Sequence, residues 1–227
     1  MKKLNQFVCI LKSGGDYKPC HVQDLKKNVE WALPNLDSFI CISDMYIQGV
    51  NTIPLKRNYR GWWSMHEAYR IKGKVIITGI DTVFVKQSSQ LFEIAETLGQ
   101  NEVYMIRSTT HPERNISNGI QIWNGDLTSI YNVYDIKDGQ IRHYGEQEYS
   151  IELLQNNGFS IKALNTGLVP GIYSYKKHCR RQRILPKGAN IIIFHGCPRP
   201  FQVVKNEQWI RDIYEKCGIN YKKYIKN

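Results

Sequence analysis

The feature that most constrains the fold is the alternation of short apolar runs with amphipathic segments along the first half of the chain. Phe7 to Leu11 is an apolar run that stops before Ser13-Gly14-Gly15, which predicts a buried strand followed by a turn. Between His21 and Leu33 the apolar residues recur at three- and four-residue spacing, which predicts an amphipathic helix. Strands alternating with helices favour an α/β fold with a mostly parallel central sheet flanked by helices.

The same criteria predict further elements along the chain. The predicted strands are 37–42, 50–55, 74–78, 103–106, 120–123 and 191–194, and the predicted helices are 61–71, 91–98, 126–134, 147–156 and 206–217. The sequence contains neither an internal repeat nor a Pro/Gly-rich linker. We therefore predict one domain over residues 1–227, with a basic C-terminal helix and tail from about residue 205.

The charge of the chain predicts a polyanionic partner, because 31 Lys and Arg stand against 20 Asp and Glu and give a net charge of +11. No apolar run approaches the roughly 18 residues of a membrane span. The run at 7–11 is also shorter than the roughly 7–15 residues of a secretory h-region. The six cysteines form no C-x-x-C pair, which predicts reduced thiols and a cytoplasmic location.

Polar residues follow the first predicted strand, and ligands of open α/β sheets bind beyond the carboxyl ends of strands. Gly14 and Gly15 allow a ligand to approach the backbone closely, and Asp16 is placed to hydrogen-bond a base or a ribose. An ordinary turn is the alternative interpretation of this segment. The pattern is not G-x-G-x-x-G, so it gives no dinucleotide fingerprint.

Two later strands are also followed by candidate ligand-binding residues. Asp81 follows the strand at 74–78 and is a candidate ligand for a hard cation such as Mn²⁺ or Mg²⁺; the alternative is a carboxylate that caps a turn. His195 follows the strand at 191–194 and is a second candidate ligand. Beyond it, Gly196 leaves room for a bulky group, and Arg199 lies between two prolines and is a candidate phosphate contact.

Together these segments resemble the GT-A fold nucleotide-sugar glycosyltransferases, in particular a small bacterial and phage group related to the glycogenin-like enzymes of family 8. The resemblance extends from Phe7 to about Val204, and it depends on seven motifs in the right order. These motifs are Leu11 to Tyr17, Gly61-Trp62-Trp63-Ser64, Gly79 to Val83, Asn118-Gly119-Ile120, Gly145-Glu146-Gln147, Ser174-Tyr175-Lys176 and Phe194 to Pro200.

The resemblance implies transfer of a sugar from a UDP-sugar to an acceptor hydroxyl. Asp81 and His195 would hold Mn²⁺ or Mg²⁺, which would neutralise the donor diphosphate and make Asp81 part of the catalytic machinery. Glu146 and Gln147 would lie beside the transferred sugar as further catalytic residues, with Glu146 as general base or as an anchor for the acceptor hydroxyl. The donor-binding residues would be Lys12, Ser13, Gly14, Gly15, Asp16, Trp63, Gly79, Ile80, Asn118, Lys176, Gly196 and Arg199.

One departure from the family pattern concerns the metal. The family carries D-x-D where this chain has Gly79-Ile80-Asp81, so the first aspartate is missing. We therefore expect metal binding that is weakened, supplied differently or absent.

The acceptor prediction rests on residues 176–183, which hold five formal positive charges in eight residues. Lys177, Arg180, Arg181 and Arg183 are the predicted acceptor-binding residues. DNA carrying 5-hydroxymethyl-pyrimidine is the favoured acceptor. A composition rich in Lys, Asn and Ile is typical of a phage protein, and phages modify their own DNA in this way. Two alternatives stay open: a transferase for a cell-surface glycan or lipid-linked acceptor, and a catalytically silent nucleic-acid-binding module on the same fold.

Overall fold

A computed structural model gives the fold and describes residues 4–108, 116–165 and 168–225. In these ranges the strands form a seven-stranded sheet of order β3-β2-β1-β4-β7-β6-β8 and a three-stranded sheet of order β5-β10-β9. The strands are β1 (Asn5–Leu11), β2 (Ser38–Ser43), β3 (Asn51–Pro54), β4 (Gly73–Thr78), β5 (Thr82–Phe84), β6 (Glu102–Arg107), β7 (Ile116–Gly125), β8 (Ser160–Ala163), β9 (Ile172–Ser174) and β10 (Ile191–Ile193).

The large sheet confirms the prediction of a mostly parallel central sheet. Strands β3, β2, β1 and β4 are parallel neighbours, and β6 pairs with β8 in parallel. The exception is β7, which runs antiparallel to β4 and to β6. Because β1, β2 and β4 share one direction, the segments that follow them meet at the same edge of the sheet.

The small sheet was not expected from the sequence, although it contains the predicted strand at 191–194. Its strands β5 and β9 have three residues each, too few for a periodic pattern to stand out. Strand β5 pairs antiparallel with β10, so that Thr82 faces Ile193, and the Phe194 N–H donates to the Asp81 carbonyl at 3.0 Å. This pairing brings the segment after β10 beside the segment after β4.

Helices cover both faces of the large sheet, as predicted. The α-helices are α1 (Pro19–Ala32), α2 (Gln90–Glu96), α3 (Thr128–Val133), α4 (Ile136–Arg142), α5 (Glu146–Asn156), α6 (Pro200–Val203) and α7 (Gln208–Lys216). The segment predicted as a helix at 61–71 is a 3₁₀ helix, Gly61–Arg70, and a second 3₁₀ helix spans Tyr221–Tyr224. A single π-helical turn covers Tyr175–Cys179.

One helix boundary and one unpredicted helix have local explanations. Asp126 lies before α3, and its carboxylate accepts the Thr128 N–H at 2.9 Å, so it caps the turn that leads into the helix. Helix α4 was not predicted because Gly139 interrupts its pattern. The glycine is required there, since a Cβ would lie 2.5 Å from the Tyr149 ring.

The apolar core lies on both faces of the large sheet and continues around the small one. Helices α1 and α2 pack on one face, and the first 3₁₀ helix, α3 and α5 pack on the other. A third cluster surrounds β10 and includes Trp209 and Ile210 of α7. No helix within the described ranges has the length and apolar character needed to cross a membrane. All six cysteines are free thiols.

Candidate active site

The loop after β1 is held by an aspartate that the sequence analysis did not single out. Asp44 follows β2 and forms an ion pair with Lys12, and the Ser13 N–H donates to Asp44 Oδ1 at 2.9 Å. Partial burial raises the pKa of this carboxyl, but the hydrogen bonds from Lys12 and Ser13 outweigh it and lower the pKa to about 2. The position of Asp44 just beyond a strand was the signal that could have identified it.

A cavity of about 330 Å³ lies where the segments after β4 and β10 meet β7 and the start of α5. Six residues predicted from the sequence line it: Gly79, Asp81, Asn118, Glu146, Gln147 and His195. Two exposed aromatic side chains, Trp62 and Tyr144, stand at the same cavity. Tyr144 was not predicted, because a single aromatic residue in a loop has no pattern that marks it.

Glu146 is a buried carboxyl at the first position of α5, with 2% of its surface exposed. Ser150, one turn along the helix, donates to Oε1, and the Asn118 side-chain amide donates to Oε2 at 2.5 Å. Burial raises the pKa of Glu146 to about 7, although both hydrogen bonds act to lower it. A carboxyl with this pKa is half ionised near neutral pH, which suits a general base.

Asn118 and Gln147 hold each other beside Glu146. The Asn118 N–H donates to Gln147 Oε1 at 3.3 Å, and the Gln147 side-chain amide donates to the Ile116 carbonyl at 3.4 Å. Strand β7 and helix α5 are thus joined at the cavity by polar side chains, which fixes the orientation of the Glu146 carboxylate.

Asp81 and His195 lie on adjacent segments of the cavity wall. Asp81 Oδ2 accepts the Gly196 N–H at 3.0 Å. His195 has φ of +51° and Gly196 has φ of +90°, so the chain passes through two left-handed residues directly after β10. A histidine in this region is strained, and such strain is concentrated at functional sites.

Two predicted cations, Lys176 and Arg199, converge on this bend. Lys176 Nζ donates to the His195 carbonyl at 2.7 Å. Arg199 Nη2 donates to Asp16 Oδ2 at 3.2 Å, and Nη1 lies 3.9 Å from Asp81 Oδ2. The guanidinium also stacks over the Tyr17 ring. A Cβ on Gly196 would lie 3.8 Å from Lys176 Nζ and 3.9 Å from Arg199 Nη1.

The remaining predicted donor residues are distributed over neighbouring cavities. Lys12, Ser13, Gly14, Gly15 and Trp63 line a cavity of about 640 Å³, and exposed Trp62 lines both this cavity and the first. Ile80 lies apart from them, because it lines a small cavity of about 20 Å³ together with Tyr17 and His21.

The four predicted acceptor residues lie outside the cavity that contains Glu146. Lys177, Arg180, Arg181 and Arg183 are exposed, on the π-helical turn and the turn that follows it. They follow directly after Lys176, whose ammonium reaches the His195 carbonyl. The basic segment therefore begins at the cavity wall and continues over the surface.

The residues at the expected metal position do not fit a divalent cation. Position 79 has no carboxylate, Asp81 Oδ2 is engaged with the Gly196 N–H, and two cationic head groups lie near this pair. Within the described ranges, no group of three or more His, Cys, Asp or Glu side chains is arranged to hold a metal ion. Asp81 and His195 would supply two ligands at most.

Comparison with known proteins identifies the fold. No family model matches the chain, and no curated protein matches it by sequence. The structure is similar to the glycosyltransferase GlyE of Streptococcus pneumoniae TIGR4, with a TM-score of 0.64 at 12% identity. The match covers 99% of this chain and 62% of that one, so the chain spans less than two thirds of the length of GlyE.

Two further solved structures are similar over nearly their whole lengths. The galactosyltransferase LgtC, solved with donor and acceptor sugar analogues, gives a TM-score of 0.57 at 12% identity over 94% of this chain and 95% of that one. A glycosyltransferase involved in glycosylation of the major capsid of PBCV-1 gives 0.52 at 10% identity, over 93% and 99%. The chain has the GT-A glycosyltransferase fold, which confirms at the level of fold the resemblance seen in the sequence.

Proposed function

We propose that the protein is a glycosyltransferase that moves a sugar from a UDP-sugar to an acceptor hydroxyl. The observation that carries this proposal is the cavity where Glu146, Asn118 and Gln147 face Asp81 and His195. Glu146, whose pKa is raised to about 7, shares this cavity with Asp81 and His195, and Lys176 and Arg199 contact those two residues. GlyE, LgtC and the PBCV-1 capsid enzyme are described as glycosyltransferases, which supports the same assignment.

In the proposed reaction the donor lies across the carboxyl ends of β1 and β4. Its nucleoside lies towards Asp16 and the loop at 12–15, and its diphosphate lies against Lys176, Gly196 and Arg199. The acceptor oxygen bonds to the anomeric carbon while the bond from that carbon to the phosphate oxygen breaks. The hydroxyl proton passes to the Glu146 carboxylate, and the nucleoside diphosphate leaves. Gln147 and Asn118 hold the carboxylate and the sugar in position.

For the acceptor, we propose DNA with a hydroxymethylated pyrimidine. The supporting observation is the exposed run of Lys177, Arg180, Arg181 and Arg183. This run begins next to Lys176, which contacts the His195 carbonyl, and continues over the surface. A polyanion bound along this run would reach the cavity, and a target base would have to flip out of the duplex to enter it. The exposed rings of Trp62 and Tyr144 offer flat faces for such a base.

Mass spectrometry of the products tests both parts of the proposal. The full chain is offered a panel of UDP-sugars with hydroxymethylated DNA, and in parallel with glycan and lipid-linked acceptors. We expect a hexose or pentose mass added to the DNA nucleosides. Transfer only to a glycan or lipid acceptor would support the alternative transferase, and DNA binding without transfer to any acceptor would support a silent nucleic-acid-binding module.

Two further expectations from the sequence concern the cofactor and the location. The Mn²⁺ or Mg²⁺ that the family resemblance implies at Asp81 and His195 has no part in the proposed reaction, because the residues there do not fit a divalent cation. We also place the protein in the cytoplasm, or the host cytoplasm if phage-encoded, because six free thiols suit a reducing compartment.

A further inference from the structure

The space for the missing carboxylate at position 79 is already taken. A Cβ built on Gly79 would lie closer than 3.0 Å to Asp81 Oδ1, nearer than real Cβ atoms approach such a neighbour. An aspartate here would force the Asp81 side chain to turn away. In the arrangement seen here, the Asp81 carboxylate therefore lies against the position where the side chain of the first D-x-D residue would begin.

The other oxygen of Asp81 faces the protein. Oδ2 accepts the Gly196 N–H at 3.0 Å and lies 3.9 Å from Arg199 Nη1. These contacts give Asp81 a structural task, since the carboxylate ties the bend after β10 to the segment after β4 and draws the arginine toward it. A divalent cation on this oxygen would compete with both partners.

Two cationic groups lie around Gly196, and one of them is beside the Asp81 carboxylate. Lys176 Nζ and Arg199 Nη1 lie 3.8 and 3.9 Å from the point where a Cβ of Gly196 would stand. Gly196 has φ of +90° and no side chain, so the space between the two head groups stays open. Arg199 Nε and Nη2 donate to Asp16 Oδ2 at 3.3 and 3.2 Å, so Nη1 is the nitrogen that lies beside Gly196. An ammonium and a guanidinium at this position attract the phosphate groups of a diphosphate.

Each cation is anchored by a group that a diphosphate would not displace from the fold. The His195 carbonyl holds the Lys176 ammonium, and the strained bend at His195 and Gly196 aims that carbonyl. Arg199 lies over the Tyr17 ring and stands at the N-terminal cap of α6. Pre-organised charges of this kind stabilise a leaving group without rearrangement during the reaction.

We infer that Lys176 and Arg199 take the place of the divalent cation, so that the protein binds a nucleoside diphosphate and supports its departure without a metal. This inference rests on the proposed function. The negative charge that develops on the phosphate oxygen, as its bond to the anomeric carbon breaks, is neutralised by the ammonium and the guanidinium.

Titration of the full chain with UDP, by calorimetry, tests the inference without requiring turnover. The titration is made in EDTA and again with Mn²⁺. We expect similar affinity in both, and in EDTA a loss of about 10- to 100-fold in Lys176→Met and in Arg199→Met, the size expected for a charge-assisted hydrogen bond. Lys176→Arg keeps the charge and should keep most of the affinity. Lys205→Met, which removes an exposed lysine beyond α6, is the matched control and should bind UDP normally.

The outcomes separate this inference from the proposal on which it rests. UDP binding that needs Mn²⁺ overturns the inference and leaves the glycosyltransferase assignment in place. Absence of UDP binding in both conditions contradicts the assignment itself. Normal UDP affinity in both Met variants also overturns the inference. Thermal unfolding of each variant verifies that it is folded.

Discussion

At the scale of single residues, Glu146 shows how burial adjusts a side chain to a task. An exposed glutamate would be fully ionised at neutral pH and a weak base. Here burial raises the pKa of the carboxyl to about 7, although the hydrogen bonds from Ser150 and Asn118 act to lower it. The sequence identified Glu146 through the Gly145-Glu146-Gln147 motif, but its hydrogen bond from Asn118 became visible only when β7 and α5 were placed side by side.

Replacement of this carboxyl tests its role as a base. We expect Glu146→Gln to lower kcat by about 10²- to 10⁴-fold, the usual contribution of general base catalysis. In the wild type, kcat/KM should rise with pH through about 7, because the carboxyl must be ionised to accept the proton. Glu152→Gln, which removes a charge farther along the same helix, should behave like the wild type. A Glu146→Gln variant with wild-type kcat would remove Glu146 from the mechanism.

His66 is a second buried titratable residue, and it affects stability. It is fully buried, its ring stacks on Tyr134 at 4.2 Å, and its Nδ1 contacts the Trp63 carbonyl at 2.7 Å. Burial, with Arg57 and Arg70 nearby, lowers the pKa of His66 to about 4. The unfolded chain takes up this proton near pH 6.5, but the folded chain does so only near pH 4.

The free energy of unfolding should therefore fall between pH 6.5 and pH 4, by up to about 3 kcal/mol from His66. The raised pKa of Glu146 makes the free energy of unfolding change with pH in the opposite direction. The test therefore compares the free energy of unfolding of the wild type and of His66→Phe, measured by urea unfolding at several pH values. The variant should lose less stability than the wild type on acidification. Parallel curves would show that His66 does not carry this pH dependence.

At the scale of elements, the strand ends decide where the site lies. The segments after β1, β4 and β10 were predicted as ligand-binding from their strand ends, and those of β4 and β10 are brought together through a small sheet that the sequence did not reveal. The alternation of apolar runs predicted six of the seven strands of the large sheet and missed only the four-residue strand β8. Pairing between strands of three residues depends on distant partners, which local patterns do not encode.

The C-terminal 3₁₀ helix provides a test of one such distant contact. Lys223 forms an ion pair with Asp24 of α1 at 2.9 Å, and the Tyr224 hydroxyl donates to the same carboxylate. We expect Asp24→Ala to release this helix, which would raise hydrogen exchange across Tyr221–Tyr224. Asp212→Ala, an exposed position on α7, serves as the control. Unchanged exchange in Asp24→Ala would mean that other contacts hold the helix.

At the scale of the whole molecule, the +11 charge divides into two roles. Lys176 and Arg199 lie at the bend after β10, and the exposed residues from Lys177 to Arg183 extend away from it. In the proposed function the first pair binds the donor diphosphate, and the excess charge binds an extended polyanion. A single domain over residues 1–227 stays a prediction.

Removing the positive charges of the exposed segment tests whether it binds DNA. The triple variant Arg180→Ala, Arg181→Ala and Arg183→Ala should bind DNA more weakly, and the slope of log affinity against log salt should fall by up to about 3. UDP binding should be unchanged, because these side chains lie outside the cavity. Fluorescence anisotropy at several salt concentrations measures the slope. Wild-type DNA affinity in the triple variant would contradict this assignment of the basic segment.

The proposed function requires that the protein break the bond between a sugar and a nucleoside diphosphate. Its most direct test measures UDP release from a panel of UDP-sugars by the full chain, in EDTA and with Mn²⁺, beside Glu146→Gln. We expect UDP release from at least one donor by the wild type, with little or no release by the variant. Absence of release from every donor in both conditions would contradict it and identify the chain as catalytically silent.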